Sequence, residues 1–157
     1  MAKTETLLAE LESSCEMTDD LMTQRFLDAI AGLQNRRSDK VLRRMLRCFR
    51  DTDAGEVQYE LVEACEAYPN EQYVPILAQE YIAIAEKSSQ WLRLLFQSIL
   101  NSRETAELLV QECETLPLIT LSAIIESLVS LTTENQKYRS VLRQLQLVAS
   151  TRFPRTS

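Results

Sequence analysis

The chain has 157 residues, 45% of them hydrophobic, enough for one domain with a buried core. It holds 2 glycines and no histidine, where ordinary usage would give about 11 glycines from roughly 7%. Those counts argue against glycine-rich phosphate cradles and tight β-hairpins, and they remove the commonest general base and metal ligand. The net charge of −6 disfavours nucleic acid and anionic lipid as partners.

Apolar residues recur at helical spacing from end to end, and no segment alternates with period two. A first helix spans about 4–15, with Leu7, Leu8, Leu11 and Cys15 on one face. A second follows Thr18, its start favoured by Asp19 and Asp20 at the positive end of the dipole, and carries Met22, Phe26, Ile30 and Leu33. Ser38 caps a third, built on Val41, Leu42, Met45, Leu46 and Phe49. The turn 51–55 leads to a fourth with Leu61, Val62, Cys65 and Tyr68. Pro69 stops that helix, and Asn70 caps a fifth, carrying Val74, Leu77, Tyr81 and Ile84, with Pro75 near its start. Ser88 caps a sixth, Trp91 to Leu100, in which Trp91 is a core aromatic. Asn101 with Glu104 reads as a capping box for a seventh, Pro117 opens an eighth to Leu131, and Thr133 with Gln136 is a second box before a ninth ending near Ser150.

The fold class expected is all-α, with about eight or nine helices joined by short loops that pack neighbours as antiparallel hairpins. Hairpins of roughly 30–40 residues have the size of HEAT or armadillo units, so the architecture expected is a short α-solenoid, with a compact non-repeating bundle as the alternative. Residues 1–150 form the single domain and 151–157 a frayed tail.

Charge is segregated. Seven of the 17 basic residues lie between Arg36 and Arg50, and from Asp51 to Glu86 there is no cation. At about 100° per residue, Glu56, Glu60 and Glu63 share a stripe opposite Leu61, Cys65 and Tyr68. Like charges at this spacing repel by a few tenths of a kcal/mol each, which a basic partner would relieve. Arg36, Lys40, Arg43, Arg44 and Arg47 share one face of the preceding helix. That helix is expected to lie beside the acidic one, the two faces partly neutralising each other.

Other chemistries fail on spacing. Counted from Asp51, the glycine of 51–55 is fifth rather than sixth and the twelfth residue is Val62, so no calcium loop is expected. Cys15, Cys48, Cys65 and Cys113 contain no paired C-x-x-C and read as buried thiols, with no disulfide framework. No metal or cofactor is expected. Without histidine a Ser or Cys nucleophile lacks its usual base, so no enzyme is expected. Glu5, Glu10 and Glu12 interrupt any N-terminal targeting core, and 116–125 is too short to span a bilayer, so the expectation is a soluble, cytoplasmic protein that contacts no membrane.

An aromatic-led helix ending in Ile99-Leu100-Asn101-Ser102, after a helix led by Tyr73-Val74, resembles the immunity protein 30 family of bacterial polymorphic toxin and contact-dependent inhibition systems. The resemblance covers about residues 70–130. It implies a small all-helical cytoplasmic immunity protein that binds and neutralises a cognate toxin domain. It carries over no catalytic residue. A basic toxin C-terminal domain suits the local acidity, so Asp53, Glu56, Glu60 and Glu63 are the candidate partner-binding residues. The rival reading is a helical-repeat scaffold unconnected with toxins.

Overall fold

The structure, a computed structural model, describes residues 2–52 and 55–155. Its α-helices are α1 (Ala2–Ser14), α2 (Asp20–Leu33), α3 (Asp39–Leu46), α4 (Gly55–Glu66), α5 (Asn70–Gln79), α6 (Tyr81–Lys87), α7 (Ser89–Leu100), α8 (Arg103–Cys113), α9 (Leu118–Glu134) and α10 (Arg139–Arg152). A single 3-10 turn, Gln136–Tyr138, separates α9 from α10, and the described residues contain no strand. The protein is all-α. The helices number ten among the described residues because the expected fifth helix is two, broken at Glu80 with φ −90° and ψ 4°.

Several starts follow the sequence chemistry. The Asp19 carboxylate accepts the Met22 N–H at 2.8 Å, Ser38 Oγ accepts that of Val41 at 3.2 Å, and Ser88 Oγ accepts that of Trp91 at 3.2 Å. Three other expected caps are corrected. Pro69, not Asn70, precedes α5 and makes no side-chain cap. Ser102, not Asn101, precedes α8, and Asn101 Oδ1 instead accepts the Tyr138 hydroxyl at 3.3 Å. Thr133 lies inside α9, where its hydroxyl bonds back to the Ser130 carbonyl at 2.6 Å, and Asn135 caps the 3-10 turn. A cap needs extended backbone as well as the right side chain, and the packing of α9 keeps Thr133 helical. α10 runs beyond Ser150 to Arg152, whose guanidinium donates to the Cys113 carbonyl at 2.6 Å.

Contacts run in series from α1 to α3, α3 to α5, α5 to α8 and α8 to α10. α1 also packs on α2, α2 on α4, α6 on both α7 and α9, and α9 on α10. One continuous apolar core joins them, from Leu8 and Leu11 to Leu145. A Cβ on Gly32 would come within 2.9 Å of a terminal methyl of Leu7, whose side chain occupies the space the glycine leaves. Met17, after α1, takes the left-handed conformation at φ 47° that glycine usually fills, and its buried side chain offsets a cost of roughly 1 kcal/mol. Trp91 is 7% exposed, stacked on Phe49 at 5.8 Å and edge-on to Tyr59 at 5.1 Å. All four cysteines are buried thiols.

Candidate partner-binding surface

Local sequence decides which way α4 faces. Leu61, Ala64 and Cys65 are buried, and Gln58 is fully buried, its amide donating to the Arg50 carbonyl at 3.1 Å. Helical geometry therefore sends Glu56, Glu60 and Glu63 outward, and all three are exposed. Glu56 lies in the first turn, where a carboxylate is favoured by the helix dipole. Asp53, the fourth candidate, lies outside the described residues.

α3 lies beside α4, but among the described residues no ion pair joins them, so the expected neutralisation is not made by direct pairing. Lys40 pairs with Glu5 of α1. Arg44 binds Glu5 at 2.8 Å and Glu12 at 2.5 Å, and Arg50 binds Glu16 at 2.9 Å. Arg43 and Arg47 converge on Glu80 at 3.2 and 2.6 Å. Arg36 donates to Thr4 at 3.1 Å, and Arg37 donates to the Ala67 carbonyl at 3.2 Å beside the Tyr68 ring. Every cation of this basic run thus has a partner, and none of those partners is a carboxylate of α4. The reason is packing: α3 lies against α1 and α5 as well as α4, and its polar face reaches Glu5, Glu12 and Glu80.

The two acidic regions consequently differ in their electrostatics. Lys40 and Arg44 hold the Glu5 carboxyl below its ordinary range by hydrogen bonding to its charged form. On α4 the sign is reversed. Burial, reinforced by the neighbouring Glu63 carboxylate, raises the pKa of Glu66. Among the described residues, Glu56, Glu60 and Glu63 form no ion pair and no side-chain hydrogen bond.

Two features of this region were not read from the sequence. Tyr59 lies between Glu56 and Glu63 on the helix surface, 55% exposed, with its ring edge held against Trp91. A fixed, exposed aromatic among carboxylates can stack on a guanidinium while the acids pair with it. Its signal was a tyrosine one residue before Glu60, on the polar side of the helix. Glu80 belongs to the same cation-free stretch but is buried against Arg43 and Arg47 and supports the fold. The apolar run Ile76-Leu77-Ala78 beside Tyr81 was the available sign that position 80 faces inward.

Among known families, the model of immunity protein 30 matches residues 13–109, more than half of the chain. The chain belongs to the immunity protein 30 family. The match begins far earlier than the 70–130 resemblance and takes in α2, α3 and α4, so the acidic helix lies within the family region. No curated protein and no solved structure matches the chain. Among the described residues no helix is long and apolar enough to cross a membrane, and no cluster of acidic or cysteine side chains could hold a metal.

Proposed function

We infer that this family member binds a cognate toxin domain in the cytoplasm and neutralises it by contact rather than by catalysis. The observation that carries this reading is the unneutralised acidic face of α4, inside the family region and beside seven cations that are all engaged elsewhere. Glu56, Glu60 and Glu63 present carboxylates around Tyr59, an arrangement suited to arginine- or lysine-rich protein surface. A basic toxin site that takes phosphates would accept these carboxylates in their place. Opposite charges would also speed encounter, since long-range attraction raises association rates.

The test is co-expression with the C-terminal domain of the toxin encoded by the neighbouring gene, scored for survival. Wild-type protein is expected to protect. Glu60→Lys with Glu63→Lys is expected to weaken binding on the order of tenfold or more at low salt, and to flatten the salt dependence. Killing that persists despite folded wild-type protein would overturn the immunity reading. Unchanged affinity of the double variant at every salt concentration would remove α4 from the interface.

A further inference from the structure

α6, α7 and α9 enclose a groove of about 810 Å3, within the roughly 300–1,000 Å3 typical of ligand clefts. The buried edge-to-face pair Tyr81 and Phe96, with ring centroids 5.3 Å apart, backs its floor, and the part-exposed Ile82, Ala85 and Ala123 line it. Glu86 and Glu126 stand among its lining residues. The lining cation, Arg93, is drawn into an ion pair with Glu134. Among the described residues, Glu86 and Glu126 have neither an ion pair nor a side-chain hydrogen bond. An apolar floor beneath two unpaired carboxylates repels phosphates and anionic lipid, and it complements an amphipathic helix with cationic flanks.

We propose that this groove takes an apolar, lysine- or arginine-flanked helical segment of the protein partner. Leucine-like side chains enter against Ile82, Ala85 and Ala123 while the flanking cations meet Glu86 and Glu126. The inference deepens the toxin-binding reading and rests on it for the partner's identity. α7 links the two surfaces, because its Trp91 supports Tyr59 of α4 while its Leu92 and Phe96 line the groove.

The experiment measures binding of the full chain to two probes: the neighbouring toxin's C-terminal domain, and a short synthetic leucine–lysine amphipathic helix. Ser130→Trp fills the groove from an exposed position, Glu126→Lys reverses one carboxylate without filling it, and Ser140→Trp on the exposed surface of α10 is the control. Circular dichroism and thermal melting confirm folding of each variant. Loss of about tenfold or more in affinity for the toxin domain with Ser130→Trp and Glu126→Lys, but not with Ser140→Trp, is the expected result. Toxin binding weakened by the α4 variants alone would overturn the groove assignment and leave the immunity reading standing. If the toxin domain does not bind, yet the leucine–lysine helix binds and is lost in the groove variants, the groove stands and the immunity reading falls. Binding of neither probe overturns both.

Discussion

Replacing Glu80 with alanine tests the tertiary pairing that frees α4. The Glu80 side chain is 6% exposed and accepts from Arg47 Nε at 2.7 Å and from Arg43 Nη1 at 3.2 Å. Hydrogen bonds to charged groups are each worth about 1.5–3 kcal/mol. The arginine side chains are 36% and 57% exposed and rehydrate when the carboxylate is removed, so the lower part of that range applies. Glu80→Ala should therefore destabilise by roughly 2–3 kcal/mol, lowering Tm by about 5–10 °C for a chain of this size. The converse change is harsher. Arg43→Ala with Arg47→Ala leaves a buried carboxylate without compensation, at a cost of roughly 3–5 kcal/mol. Urea denaturation followed by circular dichroism measures both, and an unchanged m-value would show that only stability moved. A loss below about 0.5 kcal/mol for Glu80→Ala would refute the reasoning, because that is the scale of an exposed pair.

Three further outcomes are expected. The Tyr73 hydroxyl is buried and has no partner among the described residues, so Tyr73→Phe should stabilise by about 1 kcal/mol, read from the same denaturation curves. Glu66 has a raised pKa in the fold, so its carboxylate opposes folding above that pKa, and the penalty disappears as pH falls below the unfolded value near 4.5. Glu66→Gln should accordingly raise Tm at pH 7 and leave it unchanged in acid; a gain of equal size at both pH values would contradict the electrostatic origin. Among the thiols, hydrogen bonding from Cys48 brings Cys15 down to about 7, whereas burial raises Cys65 and pushes Cys113 up to about 12. Alkylation mapped by mass spectrometry should reach Cys15 first, through opening of α1, and Cys65 only on global unfolding. Modification of Cys65 ahead of Cys15 would contradict that order.

The composition and periodicity of the chain determined its class. Apolar spacing near 3.6 and only two glycines leave little besides helices, and the inward set Leu61 and Cys65 already placed Glu56, Glu60 and Glu63 on the opposite side of their helix. Those are properties of a residue and its neighbours within two turns, so they are legible locally. The caps at Ser38 and Ser88 were legible for the same reason. Those expected at Asn101 and Thr133 were not, because the path of the backbone decides whether a hydroxyl or amide faces free N–H groups. Tertiary structure alone decided the fate of the charges. Arg44 meets Glu12 and Glu5 across separations of 32 and 39 residues, and Glu80 leaves the acidic surface to join Arg43 and Arg47. Ion pairs between helices depend on which faces packing brings together, and helical periodicity says nothing about that. The acidity visible as an unbroken stretch from Asp51 to Glu86 is therefore divided in space: Glu80 is spent holding the fold, while Glu56, Glu60 and Glu63 are exposed and, among the described residues, unpaired.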